Sequence, residues 1–223
     1  MFFDLHCHSV SSDDSRATVQ QFLKWITALR KRGYQIDGLA LTEHRKYDRD
    51  ADYSALSQEY DIMLLKGSEM DTRHGHFLVF GVNDRLLREV DFTDIRMDGM
   101  ELVRAARDAG AIAIPAHPGR KGIGLVNFLS DGIDLQQIGV VEGLNGSARP
   151  EENELAQRLV QEHGLSMTGG SDAHFVSAVG LCMTKFLYPV RNVEGLVEQL
   201  LGGHLRPIRL EETRSVTESK ETP

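Results

Sequence analysis

Short apolar runs alternate along this chain with segments in which apolar residues return at helical spacing. Residues 2–8, Phe-Phe-Asp-Leu-His-Cys-His, are apolar and β-prone and read as a buried strand. Val19, Phe22, Leu23, Ile26 and Leu29 then share one helical face, and Gly33 punctuates its end. The alternation recurs. Strands are expected at residues 38–44, 62–65, 76–82, 111–117, 138–144, 167–174 and 179–187. Helices are expected at 52–60, around Leu102, Val103 and Ala106, around Leu155, Ala156, Leu159 and Val160, and from Val193 to Leu201. Such alternation implies an α/β fold with a parallel sheet and helices outside. The number of units favours a closed or nearly closed barrel, whose site lies at the C-terminal strand ends.

Polar residues gather at those ends. On a strand, alternate side chains share a face, so His6 and His8 point one way while Leu5 and Cys7 point the other. Two imidazoles so placed can chelate one divalent metal. His44 closes the run 38–44, His117 closes 111–117, and Asp172 and His174 close 167–174. Ligand-type residues at the same end of successive strands point to one polynuclear metal centre.

The bulk composition narrows the rest. A chain of 223 residues can bury a full core without disulfides, and Cys7 and Cys182 make no disulfide framework. The formal charge of -8 disfavours non-specific nucleic-acid binding, which needs a basic surface. It does not exclude a small anionic substrate, because bound metal dominates the charge of a pocket. No signal peptide or apolar span long enough to cross a bilayer is evident, so the expected home is the cytoplasm, with no membrane partner. Residues 1–210 read as one domain. Residues 211–223 are polar and lack a large apolar anchor, so a disordered tail is expected there.

Asp-Leu-His-Cys-His-Ser at 4–9, Thr-Glu-His at 42–44, Gly-Ser-Glu at 67–69, Gly-His at 75–76, Ala-His-Pro at 116–118 and Ser-Asp-Ala-His at 171–174 resemble, in order and spacing, the motifs of the polymerase and histidinol phosphatase (PHP) family. The resemblance covers roughly residues 2–210. It implies a distorted (β/α)7 barrel holding up to three divalent metals, commonly manganese, zinc or iron. By that likeness His6, His8, Glu69 and Asp172 bind the first metal. Glu69, His76 and His117 bind the second, with Glu69 bridging, and an aspartate near residue 13, His44 and His174 bind the third. Ser12-Asp13-Asp14-Ser15 fits the motif in two registers; the distance to the helix start at Thr18 favours Asp14 over Asp13. His74 rivals His76, but Gly75-His76 before an apolar strand fits better. His163 and His204, near helix ends, read as structural or solvated.

Imidazole and carboxylate ligands without thiolates suit manganese, iron or zinc. A cluster with open positions lowers the pKa of bound water to about 7 and so supplies hydroxide at neutral pH, while its cations offset charge on phosphate oxygens. Glu69, Asp172 and His174 are the expected catalytic ligands. Arg45, Arg120 and Arg149, each on a loop after a strand, are candidate phosphate clamps. Glu142 and Asn145 are expected to line the pocket behind the ligands, and Lys46 and Lys121 to be surface residues. The expected activity is hydrolysis of a small phosphate monoester, a sugar, nucleotide or histidinol phosphate. Its rivals are a nuclease and a non-catalytic metal-binding module.

Overall fold

Fifteen regular helices and strands make up the described part of the chain, residues 1–214 of a computed structural model. In order they are β1 (Phe2–Cys7), α1 (Val19–Lys31), β2 (Gly38–His44), α2 (Ser54–Tyr60), β3 (Met63–Thr72), β4 (Gly75–Phe80), α3 (Asp84–Glu89), α4 (Gly99–Asp108), β5 (Ile112–Pro115), β6 (Val140–Asn145), α5 (Pro150–His163), β7 (Ser166–Gly170), β8 (Cys182–Phe186), α6 (Val193–Gly202) and β9 (Leu205–Arg209). Seven strands form one curled sheet in the order β5-β4-β3-β2-β1-β8-β9, and β6 and β7 form a second, two-stranded sheet. The second sheet meets the first beside β1, where His8 N donates to Ala173 O at 2.9 Å and Ala173 N donates to His6 O at 3.2 Å. The result is a mixed α/β half-barrel.

Five of the six helices form where the sequence pattern predicts. Helix α1 buries Val19, Phe22, Leu23, Ile26 and Leu29, and Thr18 caps it in a reciprocal box with Gln21. Its apolar face packs with Leu39, Leu41 and Ile62 on the outside of the sheet. Fully burying side chains such as Phe22 or Ile26 contributes about 1.5–3 kcal/mol each. On the other flank Leu102, Val103 and Ala106 of α4 pack against Phe77 and Val79 of β4. A third apolar cluster joins Phe3 and Leu5 of β1 to Leu78 and Phe80 of β4 and to Leu196 and Leu200 of α6.

Four expectations need correction. The sheet is mixed, because β4 runs antiparallel to both β3 and β5. Strand β3 does not stop near Leu65 but continues to Thr72, where the chain turns back through Gly75 at φ +97°. The apolar run ends at Leu65 because Glu69 and Asp71 turn one face of the strand to a polar cleft, while Met70 on the other face is buried in the cluster of α4. Strand β9 and helix α3 escape the pattern: β9 is short, contains Pro207 and pairs with β8, while α3 buries only Leu86. Finally, the polar segment expected as a tail begins inside a 3-10 helix, Leu210–Thr213, where Thr213 is buried and its Oγ1 accepts from Gln35 N at 3.2 Å. The remainder of that expectation, residues 215–223, lies outside the described residues. Among the described residues no helix is long and apolar enough to cross a membrane.

Close approach of the two sheets constrains one glycine directly beneath the cleft. A Cβ on Gly170 would lie 2.5 Å from both Glu142 Oε1 and His6 Cβ, whereas one on Gly139 would meet nothing within 4 Å. Gly170→Ala is expected to destabilise the fold by about 1–3 kcal/mol, the usual cost of overpacking, and Gly139→Ala to leave it nearly unchanged. Thermal unfolding of the two variants checks this; equal midpoints would contradict such close packing.

Candidate metal centre

Strand register carries the candidate ligands to one rim. His44 of β2 lies directly opposite Glu69 of β3, and Asp71 of β3 opposite His76 of β4. Ala116 N donates to His76 O at 2.9 Å, which places His117 next to His76. Asn145 at the end of β6 pairs with Gly170 of β7, two residues before Asp172. The ligands therefore come from β1 and the loop after it, β2, β3, β4 and the turns after β5 and β7, and no single segment could supply the set.

Glu69 sits at the centre, fully buried. Its Oε2 lies 3.1 Å from His6 Nε2, 3.2 Å from His8 Nε2 and 3.2 Å from His44 Nδ1. Its Oε1 faces the other way, 3.0 Å from His76 Nδ1 and 2.9 Å from His117 Nε2. Asp172 Oδ1 approaches His6, His8 and His174 at 3.5, 3.4 and 3.5 Å. Asp14 Oδ2 lies 3.3 Å from His44 Nε2 and 3.0 Å from His174 Nε2.

Three groups of donor atoms result, in each of which all atoms lie within 4.8 Å of one another: His6, His8, Glu69 and Asp172; Glu69, His76 and His117; and His8, His44 and His174. Asp14 closes the third group from the solvent side. Their chemistry fits divalent cations. They are oxygen and imidazole donors without thiolate, and buried His8 Nε2 lies near Glu69 and Asp172 without an aligned hydrogen bond to either. The outer nitrogen of His6, Nδ1, lies 3.0 Å from Glu142 Oε1, which orients the ring and leaves Nε2 to face the cleft.

Charge balance is equally tight. Burial alone would raise the carboxyls of Glu69 and Asp172, but the surrounding imidazoles, His6 foremost, hold both well below the usual carboxylate range. Burial disfavours a charged His6, yet Glu142, Asp172 and Glu69 together raise it well above an ordinary histidine. His8 and His76 are raised in the same way, against burial, by the neighbouring carboxylates. Burial lowers His44.

The rival residues separate cleanly. Asp13 points outward, with its Oδ2 2.7 Å from Arg45 Nη2, so Asp14 is the one that reaches the histidines. His74 turns away to Asp98, 3.6 Å off, and packs near Phe128. His163 is exposed at the end of α5, and His204 meets the Tyr188 ring. Cys7 is buried in the apolar cluster of α1.

The arginines divide. Arg120 reaches the centre: its Nη2 donates to Asp172 Oδ2 at 2.8 Å and to Asn145 Oδ1 at 3.0 Å. Arg45 bonds Asp13 and approaches Asp71 Oδ2 at 3.4 Å, at the rim. Arg149 is not brought to the ligands. It caps α5, bonded to Glu152 at 2.9 Å, and the Glu152 carboxyl is drawn down to about 2, first by that bond. At this helix start Glu152 is the acceptor, taking Arg149 N on Oε2 at 3.0 Å and the guanidinium on Oε1, and so holds the arginine there.

Three carboxylates of the site were not singled out from the sequence. Glu43 accepts from Ser9 Oγ and Ser12 Oγ, both at 2.6 Å, and so ties the Asp14 loop beneath His44. Asp4 accepts from Ser171 N at 2.9 Å and Gly180 N at 2.8 Å, bracing the Asp172 turn. Asp71 lies 3.4 Å from His76 Nε2. The available signal was a charge inside an apolar run, since buried charges need partners, and for Asp71 its two-residue offset from Glu69.

Residues 150–205 match the PHP-associated family model. The chain is 28% identical over 127 residues to an uncharacterized protein of Methanocaldococcus jannaschii, an alignment covering 55% of this chain and 51% of that protein, so the matched part spans about half the length of the curated relative. Among solved structures, PsfC of Pseudomonas syringae superposes with a TM-score of 0.68 at 18% identity, covering 95% of this chain and 92% of that one. A proposed metal-dependent phosphoesterase of Bifidobacterium adolescentis superposes with a TM-score of 0.53 at 19% identity, covering 78% and 87%. The lesion-specific endonuclease Q of Pyrococcus furiosus gives 0.63 at 14% identity, covering 93% of this chain and 58% of that one.

Two outcomes test the centre. Glu69→Gln keeps the shape but removes the charge between two donor groups, and should lower bound metal and reduce any metal-dependent turnover by at least about 100-fold. Asp14→Asn should release metal that Asp13→Asn retains; the reverse order would place the register one residue off. Protons compete with cations for the imidazoles, and His6, His8 and His76 hold theirs above the ordinary histidine value. Metal affinity should therefore climb as pH rises through neutrality, with proton release on binding. Calorimetry in buffers of different ionisation enthalpy checks both.

Matched segment, shared fold and dispersed ligand motifs together show the chain's likeness to the PHP family.

Proposed function

We propose that this chain is a metal-dependent hydrolase that cleaves a small phosphate monoester, with up to three divalent manganese, zinc or iron ions held by His6, His8, Asp14, His44, Glu69, His76, His117, Asp172 and His174. One observation carries the reading: both oxygens of buried Glu69 are engaged, each by a different set of imidazoles. Cations bound there would lower the pKa of coordinated water toward neutrality and offset charge on phosphoryl oxygens. Structural metal sites are usually thiolate-rich, and this donor set holds no thiolate.

The chain's own residues would do the remainder. Glu142 accepts from His117 N at 2.8 Å as well as facing His6 Nδ1, so one carboxylate aligns two ligands. Asn145 donates to Glu142 Oε2 at 2.8 Å and holds that carboxylate in turn. Arg120 keeps Asp172 Oδ2 occupied, so Oδ1 alone faces the imidazoles. The Nε and Nη1 groups of Arg120 have no partner among the described residues, which suits a clamp on phosphate oxygens. Arg45 offers a second cation at the rim.

The likeness to endonuclease Q raises a second reading, cleavage of a nucleic-acid phosphodiester. Net charge of -8 weighs against it, because backbone binding relies on counterion release by a basic surface.

The deciding experiment is phosphate release from p-nitrophenyl phosphate and a panel of phosphorylated metabolites by the manganese-loaded chain, beside cleavage of an abasic duplex. Release from monoesters alone supports the proposal; duplex cleavage alone, or no hydrolysis with metal bound, overturns it. Arg120→Ala should cost about ten- to a hundred-fold in kcat/KM, the worth of one charge-assisted hydrogen bond. Arg149→Ala should leave kcat/KM unchanged and lower only the stability of α5.

A further inference from the structure

Next to the metal centre lies an open cavity of about 570 Å³, and Arg45 forms the wall between the two. On one side its guanidinium bonds Asp13 and approaches Asp71, which itself faces His76. On the other it lines the cavity together with Lys46 and Arg88. The buried residues Val90 and Phe92 make an apolar floor.

The charge there is unlike that of the chain as a whole. Lys46 and Arg88 are exposed, and neither has an ion pair or hydrogen bond from its side chain among the described residues. Of the two acids on the same wall, Glu89 is neutralised by an ion pair and Asp91 keeps its charge. Glu89 pairs with Arg85 at 3.1 Å, and Asp91 accepts from the backbone and hydroxyl of Thr93. Arg45, Lys46 and Arg88 together outnumber the acids of this wall, on a molecule of net charge -8. Arg45 also holds φ +52°, a left-handed backbone that a branched or long side chain adopts at a cost, and such strain clusters at functional positions.

We infer that this cavity is a subsite for a second anionic group of the substrate, a phosphate or carboxylate carried by the organic moiety whose other phosphate reaches the metal centre. The inference rests on the phosphoesterase reading for the role of the first phosphate, but the subsite itself can be probed without turnover. The apolar floor takes the linking carbon skeleton. Lys46 and Arg88 take the distal charge, and Arg45 lies between the two anions. A substrate with a single phosphate and a neutral remainder leaves both cations unused.

The test uses the full, manganese-loaded chain and phosphonates, which bind as phosphate mimics but are not hydrolysed. Calorimetric Kd values are measured for alkanediyl bisphosphonates of graded length, for phosphonocarboxylates of the same lengths and for the matching alkylphosphonates. At one length the doubly anionic compounds should bind about ten- to a hundred-fold more tightly than the monophosphonate, the worth of a single charge-assisted hydrogen bond to the second anion. The bisphosphonate and phosphonocarboxylate arms tell which second anion is preferred. In the Lys46→Ala/Arg88→Ala double variant that preference should collapse toward parity, and Lys46→Arg should preserve it. Equal affinity for singly and doubly anionic compounds at every length overturns the subsite, as does a preference that survives the double variant. Its failure is distinguishable from failure of the phosphoesterase reading. Ester cleavage without a second-anion preference removes only the subsite, while the preference without ester cleavage removes only the hydrolase.

Discussion

Everything at this rim depends on placing one carboxylate in the middle of five imidazoles. Glu69 is fully buried, and a buried charge without compensation costs several kcal/mol. Its neighbours supply the compensation: His6, His8 and His44 crowd one oxygen, and His76 and His117 the other. The arrangement exists only if the ends of β1 and β2, Glu69 within β3, the start of β4 and the turn after β5 lie at the same level. The registers of the curled sheet, and the antiparallel turn of β4, are how the chain meets that requirement.

Strain appears where the strands give way to the cleft. Four non-glycine residues have positive φ among the described residues, Arg45, Asp61, His117 and Asp172, and all but Asp61 lie at this rim. Such conformations cost of order 1–3 kcal/mol each and persist only where the surroundings over-determine them. Here they are: Glu142 fixes His117 through its backbone N–H, and Arg120 with Asn145 fixes Asp172. Polar groups behind the ligands thus hold the backbone as well as the side chains.

Much of this was legible in the sequence, for a physical reason. Apolar runs that end in His or Asp announce both a buried strand and a polar group at its end, so His44, His117 and Asp172 could be placed from periodicity alone. The PHP-like motifs added Glu69, His76 and Asp14. What escaped was set by pairing between distant segments. No local pattern says that β4 reverses, because antiparallel and parallel strands share the two-residue period. Arg149 follows a strand as Arg120 does, yet the first turn of α5 claims it through Glu152. Glu43 and Asp4 looked like strand interruptions, and only the fold shows that each secures a loop.

Exposure is unequal across the three donor groups. The side chains of His6, His8, Glu69, His117 and Asp172 are at most 2% accessible, whereas Asp14 is 49% and His174 25% accessible. A cation seated between Asp14, His44 and His174 would meet bulk water and chelators directly, while one beneath Glu69 could leave only after its neighbours moved. Exchange would then be sequential, with residence time graded by depth. Protein taken through a chelating column would carry the inner complement and lose the outer ion, so two preparations of one folded chain could differ in metal content without differing in structure.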